Sequence, residues 1–240
     1  MKIALIGFGK MGKEVESLAI SKTHEIVAKC HTSALPTQEL FKDCDVVIDF
    51  STPHSVVDHI RMVMSAKKPM VVGTTGWYDQ LPQVRDFVDN QDGALIYASN
   101  FSVGVQMFYA LTAAASKLAD KFPDYDAFIQ EIHHVQKKDS PSGTALTLGN
   151  IVLKHMKRKK KIMTDSILGT IESDSLHIAS TRSGSVPGTH IVGFDSAADT
   201  IELKHTARNR AGFAAGALHA AEWIVKHKGV HDFSELFPAP

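Results

Sequence analysis

The stretch Glu131-Ile132-His133-His134-Val135-Gln136-Lys137-Lys138-Asp139-Ser140-Pro141-Ser142-Gly143-Thr144-Ala145 brings together two histidines, lysines and a helix-opening turn. A histidine titrates near pH 6.5 and a lysine's charge depends on its surroundings, so His133 and Lys137 suit the acid that completes a hydride transfer. Strand alternation sends His133 and His134 to opposite faces. Pro141-Ser142-Gly143-Thr144 then opens a helix, whose first N–H groups lack partners within the helix and attract an anion. Proton donors and a carboxylate cradle therefore converge in one short segment; the alternative is that the histidine pair is structural. Neither the H-E-x-x-H spacing nor a Cys/His set is present, so no metal is expected.

A second constellation, Gly7-Phe8-Gly9-Lys10-Met11-Gly12, is a G-x-G-x-x-G that follows a strand-like run and opens a helix. In that setting the glycines allow a tight turn and close backbone approach, and the helix start can hold a pyrophosphate; the alternative is a merely structural glycine turn. Dinucleotide sites often carry an acid about 20 residues on, which takes the ribose hydroxyl. Here the second strand ends in Lys29-Cys30-His31-Thr32-Ser33, with no carboxylate before Glu39. Cations at Lys29 and His31 favour a 2′-phosphate, so NADPH is expected ahead of NADH, with NADH admissible; the alternative is that both are ordinary solvated residues. Three loops at strand ends, Phe50-Ser51-Thr52-Pro53, Gly73-Thr74-Thr75-Gly76 and Ala98-Ser99-Asn100-Phe101, have small residues that leave room for a nicotinamide ring. Taken singly, each is also an ordinary turn.

The elements that must position these groups follow from periodicity. Ile3 to Ile6, Glu25 to Ala28, Val46 to Asp49, Met70 to Val72 and Leu95 to Ala98 read as strands. Helical stripes run through Met11, Val15, Leu18 and Ala19, and through Val56, Val57, Ile60, Val63 and Met64. This is the βαβ rhythm of a Rossmann-like, doubly wound α/β sheet. After Asn100 the pattern changes. A helix is expected from Val105 to Ala119, a strand from Asp126 to His133, a helix from about Thr144, and strands over Leu176 to Thr181, His190 to Phe194 and Thr200 to Lys204. These predict a second, α+β lobe with a mixed or antiparallel sheet. A last helix, Ala211 to Lys226, returns to the first lobe, giving a dinucleotide-binding domain over 1–104 and 208–240 and a substrate-binding and oligomerisation domain over 105–207.

Composition sets the outer limits. The 240 residues are 44% hydrophobic and 22% charged, a folded-protein balance that excludes disorder and collagen-like structure. Lys plus Arg, 26, equals Asp plus Glu, 26, so no overall basic field draws the chain to nucleic acid or an anionic membrane. The uncharged stretch from Gly93 to Ser116 is interrupted by Ser99, Asn100, Ser102, Gly104 and Gln106, and reads as strand, turn and helix instead of a membrane span. Two cysteines, Cys30 and Cys44, make no disulfide framework and fit a reducing, cytoplasmic compartment. The apolar start of the chain is too short for a signal sequence. The basic run Lys157-Arg158-Lys159-Lys160-Lys161 is expected to be a solvated helix end.

Gly7 to Gly12, Gly73-Thr74-Thr75-Gly76, Asn100-Phe101-Ser102-Val103-Gly104 and His133-His134-x-x-Lys137-x-Asp139-x-Pro141-Ser142-Gly143-Thr144-Ala145 closely resemble the dihydrodipicolinate (4-hydroxy-tetrahydrodipicolinate) reductase family of lysine and diaminopimelate biosynthesis. The resemblance spans nearly the whole chain. It implies reduction of a cyclic imine dicarboxylate by NAD(P)H, with hydride going to C4 of the ring and a proton following. It makes His133 the acid/base and Lys137 the proton donor, and gives His134, Lys137, Ser142, Gly143 and Thr144 to the dicarboxylate. Gly7 to Gly12, Lys29, His31, Phe50, Ser51, Gly73, Thr74, Thr75, Ala98, Ser99, Asn100, Phe101 and Arg210 are the expected cofactor residues, Arg210 being alternatively a hinge and equally an ordinary surface cation near a helix start. Arg182-Ser183-Gly184 and Gly188-Thr189-His190 also look like family features, without an assigned role. Ser140 stands where the family usually has Ala. A homotetramer built through the second-lobe sheet is implied. Two alternatives share the first lobe: an aspartate- or homoserine-type dehydrogenase, which should lack the His133-to-Thr144 set, and a non-enzymatic dinucleotide sensor, which needs no paired proton donors.

Overall fold

Short β-branched runs alternate with helical stripes through the first hundred residues, and in the computed structural model, which describes residues 1–238, each run becomes a strand. In chain order these are β1 (Lys2–Ile6), α1 (Lys10–Ser21), β2 (Glu25–Cys30), β3 (Val46–Asp49), α2 (Val56–Ser65), β4 (Met70–Val72), α3 (Leu81–Asn90) and β5 (Ala94–Tyr97). Contacts divide the chain into one unit of Met1–Val103 with Arg210–Leu236 and another that includes Gly104–Asn209.

The second unit holds α4 (Val103–Ala119), whose first residue falls in the first unit, followed by β6 (Asp126–His133), α5 (Gly143–His155), β7 (Lys161–Met163), β8 (Ser175–Arg182), β9 (Thr189–Asp195) and β10 (Thr200–Thr206). The chain then completes the first unit with α6 (Ala211–Ile224) and β11 (Gly229–Asp232).

In the first unit six strands lie in the order β11-β5-β4-β3-β1-β2, every pair parallel. Ile3 to Ile6, all of β3 and all of β4 are buried, as strands covered on both faces must be. The α2 stripe of Val56, Val57, Ile60, Val63 and Met64 packs with Val84 and Val88 of α3 over Ala4, Ile6 and Val47. On α6 most of the buried residues are small, Ala214, Gly216, Ala217, Ala220 and Ala221, with Leu218 and Ile224 beside them. A Cβ on Gly216 would stand 1.6 Å from the Phe101 carbonyl oxygen, so only glycine lets this helix approach so closely. Because β2 lies on one side of β1 and β3 on the other, the connections leave β1 and β3 in opposite directions. That divergence opens a crevice at their carboxyl ends.

The second unit's sheet runs β10-β9-β6-β8-β7 and is mixed, antiparallel on the β9 side of β6 and parallel on the β8 side. Along β6, Ala127, Ile129, Glu131 and His133 are buried while Phe128, Gln130 and Ile132 are half-buried. Ala127 and Ile129 pack under Ala145, Leu148 and Val152 of α5, so Glu131 and His133 continue the helix-covered face. Among the described residues no helix is long and apolar enough to cross a membrane. The Gly93 to Ser116 stretch is β5, a turn and most of α4.

The basic run is solvated at Lys157, Lys160 and Lys161 but differs from the expectation at Arg158 and Lys159. Helix α5 stops at His155, and two of the cations that follow tie loops of the unit together. Arg158 donates to the carbonyls of Ala119, Asp120, Phe122 and Tyr125 just past the end of α4; those of Ala119 and Phe122 also accept the Phe122 and Tyr125 N–H groups. Lys159 is 2% exposed; its Nζ donates to the Ser173 and Ser175 carbonyls at 2.9 and 2.6 Å and pairs with Asp126 at 2.5 Å. Arg158 and Lys159 serve carbonyls while Lys157, Lys160 and Lys161 are exposed, and composition cannot distinguish the two kinds of cation. Replacing Arg158 with Ala should therefore lower stability by about 1–3 kcal/mol, the cost of unsatisfied buried acceptors. A urea midpoint equal to that of the unaltered chain would contradict this role.

Candidate active site

At the β1/β3 crevice the three glycines of the Gly-rich turn have different jobs. Gly7 has φ +85°, and a Cβ there would meet the Phe50 carbonyl oxygen at 2.3 Å. A Cβ on Gly12 would meet the Gly7 carbonyl oxygen at 2.6 Å, whereas one on Gly9 would meet nothing within 4 Å. Two of the glycines thus press backbone against backbone, and the third faces open space at the start of α1. No acidic residue lies in the first turn of that helix. A pyrophosphate fits such a cradle, because amide dipoles and an uncrowded backbone are what it needs. Lys10 is exposed and Met11 half-buried at the same helix start.

The loops after β3, β4 and β5 meet beside it. Met11, Phe50, Gly73, Ala98, Ser99, Asn100, Phe101, Arg210 and Phe213 line a cavity of about 230 Å³. A Cβ on Gly73 would fall 2.1 Å from the Phe50 ring, so the ring's place depends on that glycine. Phe8 flanks the turn and stands 5.1 Å from the Lys29 ammonium.

Beneath these loops lies a buried acid that has no role in the Gly-rich motif. Asp49, with no exposed surface, accepts hydrogen bonds from the Ser51 N–H and hydroxyl at 2.8 and 2.7 Å and from the Thr74 hydroxyl at 2.8 Å. His59 of α2 meets its other oxygen at 2.8 Å. Ser51 and Thr74 are in this way anchored to the sheet, while Thr75 is exposed. Lys29 pairs with Glu16 at 2.7 Å, and the exposed His31 ring accepts from the Ser33 N–H at 3.3 Å. The Lys29 cation is therefore already shared with a carboxylate.

In the second unit, strand register assembles a cluster from residues far apart in sequence. Glu131 on β6 is opposite His190 on β9 and Ser180 on β8, and His133 is opposite Arg182. Glu131 has no exposed surface; its Oε1 accepts from Arg182 Nη2 at 2.8 Å and from the Ser142 N–H at 3.2 Å, and its Oε2 faces His133 Nδ1. Burial raises the Glu131 carboxyl, but hydrogen bonds from Ser180 and Arg182 and the charges of His133 and Arg182 outweigh it, leaving the group below its ordinary value. For His133, burial wins over the attraction of Glu131, helped by Lys137 and Arg182, and the imidazole titrates below its ordinary value.

Ser142 caps α5, its hydroxyl accepting from the Ala145 N–H at 3.2 Å. The same oxygen lies 3.0 Å from His190 Nε2. His190 is pushed down to about 4, chiefly by burial and then by the charge of His133. Its neutral ring can accept the Ser142 proton, so both the N–H and the O–H of Ser142 have partners inside the unit. Lys137 Nζ is held by Asp139 at 2.8 and 3.0 Å, and the Gly143 N–H also favours the Asp139 carboxylate. Tyr109 bonds to Thr144. His134 is half-buried beyond the end of β6. Glu131, His133 and His190 offer atoms within 4.8 Å of one another, a metal-like grouping, yet Arg182 and Ser142 already occupy Glu131 and His190.

The unassigned residues in this cluster are Glu131, Arg182 and His190. One signal for Glu131 was available: it sits two positions before His133, on the face that carries Ala127 and Ile129, where an acid demands a partner. Arg182 and His190 are brought in only by pairing of β8 and β9 with β6.

Comparison with known proteins divides the chain near residue 103, as the fold does, although the second family model also takes in α6 and β11 of the first unit. Residues 1–101 match the family model "Dihydrodipicolinate reductase, N-terminus" and residues 104–237 match "Dihydrodipicolinate reductase, C-terminus". The 4-hydroxy-tetrahydrodipicolinate reductase of Christiangramia forsetii is 38% identical over 98% of this chain and 97% of its own length. That of Campylobacter jejuni is 34% identical over 97% of this chain and 98% of its own. A dipicolinate-bound dihydrodipicolinate reductase from Paenisporosarcina sp. TG-14 superposes with TM-score 0.82 at 24% identity, covering 99% of both chains, which shows a shared fold.

The His190 environment has a measurable consequence. In the unfolded chain its imidazole protonates near pH 6.5, but in the fold it stays neutral to about pH 4. The unfolded state therefore takes up the proton first, so the contribution is intact above pH 6.5 and is lost as pH falls toward 4. It amounts to a loss of order 3 kcal/mol. His190→Gln should flatten the acid side of the stability curve measured by urea unfolding at pH 7 and pH 4.5; an unchanged slope would contradict it.

Proposed function

The chain belongs to the dihydrodipicolinate reductase family, and on that premise we propose that it reduces 4-hydroxy-tetrahydrodipicolinate, by way of dihydrodipicolinate, to tetrahydrodipicolinate with NAD(P)H in lysine and diaminopimelate biosynthesis. The observation that carries this reading is the α5 start, where buried His133, the Lys137 cation and the Gly143 and Thr144 backbone lie beside Ser142.

When bound, NAD(P)H supplies the hydride for C4 of the substrate ring. The Gly7-to-Gly12 turn and Lys10 hold the pyrophosphate, and Phe50, Ser51, Gly73, Thr74, Thr75, Ala98, Ser99, Asn100, Phe101 and Arg210 form the nicotinamide side. The α5 amide dipoles and Lys137 hold a substrate carboxylate. Since Ser142's N–H and hydroxyl already have internal partners, its share is to shape the helix start, while Gly143, Thr144, Lys137 and His134 meet the dicarboxylate. Lys137 must exchange Asp139 for that carboxylate. Once hydride has arrived, the enamine carbon takes a proton from His133 or Lys137, directly or through water.

Three finer points belong to the same proposal. NADPH is preferred to NADH because β2 ends without a carboxylate and with Lys29 and His31, although Glu16 competes for Lys29. The chain forms a homotetramer through the second unit's sheet, supported by half-buried Phe128, Ile132 and Ile191 on the face away from α5. It works in the cytoplasm, in keeping with two buried free cysteines.

Cofactor oxidation assayed with the cyclic imine should proceed, and with aspartate semialdehyde alone it should not; the reverse pattern would sink the reading. His133→Ala and Lys137→Ala should each slow turnover by about 10²–10⁴-fold with NADPH affinity nearly intact. Near-normal turnover in both would remove their roles. Steady-state constants with the two cofactors decide the preference, and a clear advantage for NADH would overturn it.

A further inference from the structure

A buried carboxylate needs compensation, and the Arg182 guanidinium on Oε1 already gives Glu131 its counter-charge. The other oxygen is nevertheless turned to His133 Nδ1, two residues along the same face of β6. On the far edge of that imidazole is Gly188, where a Cβ would lie 3.0 Å from Nε2. Gly188 has φ +149°, a conformation that side-chain-bearing residues rarely adopt. One ring nitrogen is thus held by a fixed acid, and the other is bordered by a residue with no side chain.

We propose that Glu131 is the positioning residue of the proton transfer: it binds the Nδ1–H of His133, fixes the ring's orientation, and leaves Nε2 as the nitrogen that gives up the proton. This rests on the reading of His133 as the acid. In the step, the Nε2–H bond of the imidazolium breaks and its electron pair stays on nitrogen. The substrate's enamine carbon uses its π pair to form the new C–H bond, and water later restores the proton to Nε2. Glu131 stays ionised throughout. Its charge favours the imidazolium, against burial and against the cations of Arg182 from β8 and Lys137 from the loop. His190 of β9 and Asp139 of the Lys137 pair complete the charged and titratable surroundings, and His205 of β10 acts on His190.

The test compares Glu131→Gln, Glu131→Gln with Arg182→Gln, His133→Gln, and Glu131→Gln with His133→Gln. The paired Arg182 change avoids leaving a half-buried cation without its acid. Glu131→Gln should lower kcat by about 10²-fold, within the range of an impaired acid catalyst. The alkaline limb of the kcat–pH profile should move down by about one unit, as expected when a neighbouring opposite charge is removed. Added to His133→Gln, it should cost nothing more. Nitrogen-15 NMR of the unaltered enzyme should show the neutral His133 ring protonated at Nδ1, a measurement that needs no variant to fold.

A purely structural role through the Ser142 N–H would instead raise KM and leave the limb in place, which overturns the proposal. An Nε2-protonated neutral ring, or losses that multiply in the double variant, would overturn it too. Full activity in His133→Gln alone would defeat the acid reading itself, whereas loss there with Glu131→Gln unaffected defeats only this inference.

Discussion

The second unit is organised around one unfavourable act, the complete removal of the Glu131 carboxylate from water. A lone carboxylate could not stay ionised there, so partners must arrive from several elements at once. Arg182 comes from the end of β8, the Ser142 N–H from the turn into α5, and His133 from two residues along β6. The same Arg182 group reaches the Asp139 carbonyl at 2.7 Å, which ties the loop between His133 and Ser142 to the sheet. The site's geometry is therefore a by-product of satisfying one charge. This is why the α5 start, His133 and the loop that carries Lys137 keep a common register.

The first unit solves a different problem by similar means. Its parallel sheet has no free face, so the cofactor end must be built from backbone at the strand ends. There Gly7 lies against the Phe50 carbonyl, and Gly12 against Gly7. Asp49 ties Ser51 and Thr74 together across two loops. Small residues allow the approach, and a buried acid fixes what the approach leaves loose. Each unit thus has a buried carboxylate beneath a loop, Asp49 under Ser51 and Thr74 and Glu131 under Ser142.

Lys29 and the Lys157-to-Lys161 run show how charge on paper differs from charge in place. Lys29 was read for its sign alone, yet it stands between Glu16 and the Phe8 ring. The basic run was read as a solvated face, yet Lys159 is among the most buried cations and Arg158 closes the end of α4. Long cationic side chains donate hydrogen bonds as well as carrying charge, and which of these matters depends on whether carbonyls lie within reach.

Much was legible from local pattern. Period-two and period-3.6 runs of apolar residues carry β1 to β5, α1, α2, α4 and β6 because local sterics and one-sided burial set those periods. The Gly-rich turn and the Pro141-to-Ala145 helix start are equally local, since φ and unpaired N–H groups belong to the chain itself. Short polar β11, made of Gly229 to Asp232, has no such signature and exists because β5 offers an edge to pair with. The partnership of Glu131 with Arg182 and His190 spans some fifty residues and arises only when β8 and β9 dock on β6. Residue types and their spacing determined what chemistry this chain carries and set Glu131 two residues from His133; strand register decided which cation and which second imidazole join them, because desolvation and hydrogen bonding act through space and not along the backbone.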